Sequence, residues 1–203
     1  RSLGAVAREI AELENGEIAR WYRSMAGTDG QAEMLTVLTS RISHRDPERA
    51  LEVYRSLDPS FSNQDALGEM VEGWSRNDPA EAADWLMELD NDDTRQTAML
   101  ALVSEWARQD PYASGEWLNQ FPPSPEMDRP VARYVMRVQR SDPAGALSWA
   151  HSITDESLRN QMMVEVGSRW MVVDEASARE YMDTAGLPPD VRRRIDHRVG
   201  PDG

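Results

Sequence analysis

The sequence predicts an all-α fold, an αα-hairpin solenoid of about six units with a 32-residue period. Three observations predict it. Asp46, Asp78, Asp110, Asp142 and Asp174 stand 32 residues apart; Pro follows the first four (Pro47, Pro79, Pro111, Pro143) and Glu175 the fifth. All seven tryptophans obey the same ruler. Trp85, Trp117 and Trp149 come seven residues after an Asp, where other copies have Val53 and Tyr181. Trp74, Trp106 and Trp170 come four before one, where others have Ile42 and Val138. Extending the ruler back to Glu14 places Trp21 at the first of these positions. Between the marks, apolar residues recur at helical spacing. The chain is therefore expected to form one domain over 1–203, with units near 14–45, 46–77, 78–109, 110–141, 142–173 and 174–203 and a partial N-terminal helix over 1–11.

Each unit is expected to hold two helices, here A and B. The partial first helix is of type B, with Leu3, Val6 and Ile10 on its apolar face. An A helix over 15–26 carries Trp21, and a B helix over 31–44 carries Ile42. Asp46 then caps an A helix over 47–57. Its carboxylate accepts from free N–H groups, and Pro47 lacks the N–H that would be unpaired there. Proline also ends the helix before it. Ala50, Val53, Tyr54 and Leu57 form the buried face. After the turn at Asp58-Pro59-Ser60, a B helix over 63–76 presents Leu67, Met70, Val71 and Trp74. The next pair, 79–89 and 93–108, repeats the pattern with Ala82, Trp85, Leu86 and Leu89, then Met99, Leu102, Val103 and Trp106. The A helix 111–121 has Ser114, Trp117, Leu118 and Phe121. Its partner is expected over 128–140, starting late near Asp128 so that Pro130 falls in the first turn. The A helices 143–153 and 175–185 carry Ala146, Trp149, Ala150 and Ile153, and Ala178, Tyr181, Met182 and Ala185. A B helix over 156–171 lies between them. A last helix over 189–197, rich in arginine and poor in apolar residues, reads as a polar cap. Such short helices are marginal alone in water, so neighbours must bury their faces.

Composition narrows the function. A formal net charge of −14 argues against nucleic acid or an anionic membrane as the main partner. The chain has no Cys, hence no thiol chemistry and no Cys-ligated zinc. It also has no Lys; all 22 basic residues are Arg, which excludes a Schiff-base or P-loop lysine. His44, His151 and His197 occupy unrelated ruler positions and are not expected to converge. Asp90, Asp92 and Asp93 hint at calcium, but Arg95 and Ala101 stand where an EF-hand loop needs Gly and Glu, so helix capping by Asp92 or Asp93 is the simpler reading. No catalytic, metal or cofactor site is expected. No apolar run reaches membrane-spanning length, so no direct membrane insertion is expected. The chain opens in the second half of a unit, a register compatible with an upstream leader, anchor or further repeats. Compartment stays open; the lack of Cys and the mid-unit start lean towards the cell envelope or secretion.

The pattern Asp-Pro-x-x-Ala-x-x-Trp, with a partner helix ending Trp-Ala-Arg-Gln-Asp-Pro at 106–111, resembles the tetratricopeptide superfamily. There, Asp with Ala four residues on marks the second helix of each hairpin; Asp46/Ala50, Asp78/Ala82, Asp142/Ala146 and Asp174/Ala178 match. The period differs from that family's, and Met70, Leu102 and Tyr134 stand near its small first-helix residue. The Asp-Pro/Trp pattern is also similar to bacterial repeat proteins that are often secreted or membrane-anchored. The resemblance implies a right-handed, TPR/HEAT-like superhelix that binds protein, and names neither a ligand nor catalytic residues.

Equivalent positions of stacked units lie side by side, which makes charge columns the candidate interaction surface. Six residues after each Asp stand Glu52, Asp84, Glu116, Ser148 and Glu180. Two before stand His44, Arg76, Arg108 and Arg140. Arg133, Arg137, Arg140 and Arg169 concentrate charge on the later B helices. The bland readings are a solvated acidic face and cations at helix C-termini. The tryptophans read as core, with an aromatic groove as the other possibility. The expected function is a non-catalytic protein–protein interaction module or scaffold with a protein or peptide partner. The alternative is a carbohydrate- or cell-envelope-associated binding or enzyme-accessory domain.

Overall fold

The computed structural model of the protein describes residues 3–28 and 30–199. They form thirteen α-helices, with no strand among the described residues. In chain order these are α1 (Leu3–Ile10), α2 (Asn15–Ser24), α3 (Gln31–Ser43), α4 (Pro47–Leu57), α5 (Gln64–Ser75), α6 (Pro79–Met87) and α7 (Asp92–Gln109). They continue with α8 (Pro111–Leu118), α9 (Pro125–Val138), α10 (Pro143–His151), α11 (Glu156–Val173), α12 (Glu175–Thr184) and α13 (Pro189–Val199). Arg1 and Ser2, included in the expected helix 1–11, and the last four residues of the final unit lie outside the described residues.

The five evenly spaced aspartates act as their chemistry requires. Oδ1 of Asp46, Asp78, Asp110, Asp142 and Asp174 accepts from the N–H three residues on, at 2.9, 2.9, 2.9, 2.8 and 3.1 Å. The five caps share one backbone conformation, with φ between −149° and −140°. B helices use other caps. Asn63 accepts from Ala66 N at 3.0 Å and Asp155 from Leu158 N at 2.7 Å. At the start of α7 the acceptor is Asn91, from Thr94 N at 2.8 Å, rather than Asp92 or Asp93. The two aspartates are already in the first helical turn, where a carboxylate favours the helix dipole.

The chain divides into two compact units, Arg1–Trp106 and Ala107–Gly203. In the first, α3 packs against both α4 and α5, α1 against α3, α2 against α4 and α5 against α6. Ile18, Leu35, Leu38, Tyr54, Leu67, Met70 and Leu86 form its core. Trp74 and Trp85 are buried and meet at 5.5 Å; Phe61 lies 6.4 Å from Trp85 and stacks on Tyr54 at 5.0 Å. The polar edge of Trp74 is satisfied by Glu81, whose Oε2 accepts from Nε1 at 2.8 Å.

In the second unit α10 packs against α9 and α11, and α11 against α12 and α13. Leu118, Val135, Leu147, Ala150, Ile153 and Val166 are buried there. Trp117 is buried edge-on to Phe121, Tyr134 meets Trp149 and Trp170 meets Tyr181. Trp21, Trp106, Trp149 and Trp170 are half-buried. Core is thus the right reading for three tryptophans and a partial one for four.

Two expectations are corrected. Helix α9 begins at Pro125, not near Asp128, and carries Pro130 inside it. Pro125 occupies the first helical position, where a missing N–H costs nothing, so the helix starts one turn earlier. Pro130 then lies beyond the first turn, buried in the core of the unit. The last helix is also less polar in its packing than its composition suggests. Val191 and Ile195 are fully buried, and α13 docks on α11 so closely that a Cβ on Gly167 would lie 2.5 Å from Ile195 Cδ1.

Candidate binding groove

Helices α1, α3 and α5 of the first unit border an open groove of about 770 Å³, within the roughly 300–1,000 Å³ range of ligand clefts. Two rows on α3 and the turn that follows it run along the groove. Thr36 and Ser40 form one and Val37 and Arg41 the other, at the four-residue spacing that stacks side chains on one helix face, and His44 and Arg45 in the turn after α3 extend them. Arg8 and Glu12 contribute from α1 and the turn after it, and Glu69 from α5. The B-type helices therefore supply the walls.

Charge in the groove is unevenly spent. Glu12 pairs with Arg45 at 3.2 Å, and Glu69 accepts from Ser40 Oγ at 3.3 Å. Arg8 and Arg41 are exposed and pair with no carboxylate among the described residues. At the groove's end, His44 Nδ1 meets the carbonyl of Ser40 and His44 Nε2 meets the Arg76 guanidinium. Arg76 continues to Glu105 at 3.6 Å, whose side chain is only 7% exposed. The basic column is thus partly realised, with His44 and Arg76 in direct contact.

The other sequence-derived candidates are spread out. Glu52, Asp84, Glu116 and Glu180 are all exposed on A helices. Glu52 accepts from Asn15 Nδ2 at 3.1 Å beside a shallow recess that includes Asp46 and Arg49. Arg133, Arg137 and Arg140 are exposed, away from the buried Val131, Tyr134, Val135 and Val138. Arg169 is half-buried and pairs with Glu165 at 3.7 Å; Arg198 holds the same carboxylate at 2.9 Å. Glu165 therefore offsets part of the late arginine charge. Sequence reasoning passed over Arg8 and Arg41, because no column of like charges marks them.

Two acidic sites look chemical and are structural. Asp128 is buried, and its carboxylate accepts from Thr154 N at 2.6 Å, Thr154 Oγ1 at 2.8 Å and Asp155 N at 2.8 Å. It fastens the loop between α10 and α11. Asp58 accepts from Ser60, Ser62, Asn63 N and Tyr54. Burial pushes its carboxyl up, but those hydrogen bonds outweigh burial and hold it below the ordinary carboxylate range. Burial, then the Asp58 charge and hydrogen bond, raise the Tyr54 phenol. The donors come from the Asp58–Asn63 loop and from Tyr54 of α4, whose one hydroxyl proton is shared with the Asn63 carbonyl at 2.6 Å, so Asp58 clasps the turn after α4. No group of three or more His, Cys, Asp or Glu side chains fit to hold a metal ion occurs among the described residues. No described helix is long and apolar enough to cross a membrane.

Comparison with protein-family models, curated proteins and solved structures finds no match for this chain.

Proposed function

We propose that the protein is a non-catalytic interaction module, an αα-hairpin solenoid of tetratricopeptide-like units that binds a protein or peptide partner. The observation that carries this reading is the groove on α1, α3 and α5, open to solvent and walled by successive B-type helices. Repeat proteins use surfaces of this kind, built from equivalent positions of neighbouring units. An extended chain laid in the groove would cover Val37 and the Thr36 methyl group while its polar groups meet the flanking side chains. Selection of a displayed random-peptide library against the protein tests the reading. Binders are expected that lose affinity when Val37→Arg fills the groove and keep it when Arg133, Arg137 and Arg140 are changed to Ser. Binders indifferent to Val37→Arg would place the site elsewhere. Solution scattering tests the solenoid, which requires an elongated particle.

The second reading, carbohydrate or cell-envelope binding, is supported by a recess of about 270 Å³ where half-buried Trp149 adjoins Phe121, Pro122 and Asn119. Tryptophan fluorescence during titration with soluble glycan fragments tests it; an unchanged spectrum on Trp149→Phe titration controls and wild type alike removes it.

A further inference from the structure

We infer that the groove takes an acidic peptide segment, held by Arg8 and Arg41. The inference rests on the interaction-module reading and names the partner's chemistry. Carboxylates outnumber guanidiniums 36 to 22 in this chain, and several of its arginines pair with an acid. Arg45 does so with Glu12, Arg76 with Glu72 and Glu105, and Arg192 with Asp183 and Asp196. Arg8 and Arg41 pair with no carboxylate among the described residues, a state they share with exposed Arg23, Arg55, Arg133 and Arg140, but these two line one groove of about 770 Å³ together. The two acids beside them are engaged by Arg45 and Ser40. Two guanidiniums are left facing a shared space, each able to clamp a carboxylate in bidentate fashion.

The rest of the groove selects among anions. Val37 and Thr36 add apolar contact that a bare phosphate chain does not use. A net charge of −14 repels a long polyanion such as nucleic acid, while a short acidic segment needs only local complementarity. Glu12 and Glu69 at the groove wall disfavour an unbroken anionic run and favour carboxylates spaced to meet the arginines between them. An acidic peptide with interspersed apolar residues satisfies all of these.

The test uses a fluorescein-labelled random copolymer of glutamate and tyrosine, with polyphosphate as the non-peptide anion. Wild-type protein should bind the copolymer, more weakly as salt screens the contact. Arg8→Gln and Arg41→Gln should each weaken it about tenfold, the loss expected for one charge-assisted contact. Circular dichroism and the thermal midpoint should stay unchanged, since both side chains are exposed. The Arg133→Ser, Arg137→Ser, Arg140→Ser variant should bind as wild type. Failure of the copolymer to bind, or its loss only in the late-arginine variant, overturns the inference. Polyphosphate binding as tightly as the copolymer also overturns it, by making the arginines a general anion patch. If library peptides bind through Val37 yet are neutral, the interaction-module reading stands and this inference falls.

Discussion

His44 Nε2 accepts a hydrogen bond from the guanidinium of Arg76, 32 residues further along the chain. Arginine has no acceptor, so the ring proton sits on Nδ1 and donates to the Ser40 carbonyl. Asn77 Nδ2 adds a bond to the His44 carbonyl at 2.9 Å. Residues 32 apart at the ends of α3 and α5 thus meet directly, and Gly73 makes the approach possible. A Cβ there would lie 2.0 Å from Ser43 Oγ and 3.1 Å from Ser43 Cβ. Gly to Ala inside a helix ordinarily gains roughly 0.5–1 kcal/mol. Gly73→Ala should instead lose about 1–3 kcal/mol, the range for overpacking a tight contact. Adding Ser43→Ala should recover part of the loss. Urea unfolding of the single and double variants measures both. A stabilised Gly73→Ala would mean that α3 and α5 do not approach this closely.

Asp128 and Asp78 separate a buried carboxylate from an exposed cap. Removing Asp128 leaves two backbone N–H groups and a hydroxyl at Thr154 and Asp155 without their acceptor. Asp128→Ala should cost about 2–4 kcal/mol, since each unsatisfied buried donor costs roughly 1–3. Asp78→Ala frees the Glu81 N–H at an exposed helix start, where water substitutes, and should cost about 1 kcal/mol. Chemical denaturation of the two variants gives the comparison. Equal losses would show that the Asp128 cluster is open to solvent.

Burial also ranks the tryptophans. Trp117 is 8% exposed and packs edge-on to Phe121 at 5.0 Å. Trp117→Ala should destabilise by about 3–5 kcal/mol, as for other large core aromatics. The half-buried Trp170, which touches Tyr181 at 5.4 Å, should cost less. Denaturant midpoints at constant slope test the order, and a loss under about 1 kcal/mol for Trp117→Ala would contradict its burial.

What was legible in the sequence was what local chemistry fixes. The Asp-Pro step constrains one backbone torsion and supplies one cap, so the start of α4 at Pro47 and of α6 at Pro79 could be placed to the residue. Where two prolines competed, at Pro125 and Pro130, the pattern alone did not decide which one would open α9. Asn91 lost to its aspartate neighbours on charge, although the cap needs only an acceptor at the right residue. Val191 and Ile195 are too few to stand out among arginines, yet four residues apart they suffice to dock α13. The groove was the least legible feature. Whether Arg8 or Arg41 is paired depends on where every nearby carboxylate ends up in space. Spacing along the chain records columns of equivalent positions, not the exceptions to pairing.

The Asp58 clasp gives the fold a dependence on pH. Its folded carboxyl lies below the ordinary carboxylate range, through the Asn63, Ser60, Ser62 and Tyr54 hydrogen bonds that outweigh burial. A depressed carboxyl contributes stability that is present above the unfolded value, near 3.9, and is lost as pH falls through the folded one. Tyr54 works at the other limit. Its raised phenol keeps donating to Asn63 O at 2.6 Å, a contribution complete below the unfolded value near 10 and lost as pH rises beyond it. Asp58→Asn removes the acid-sensitive part. The variant should be less stable than wild type at neutral pH, and the gap should narrow as pH drops below about 4. Unfolding free energies of both proteins measured from neutral pH into acid decide it. A gap that stays constant across that range would mean that the Asp58 hydrogen bonds do not distinguish its charged form from its neutral one.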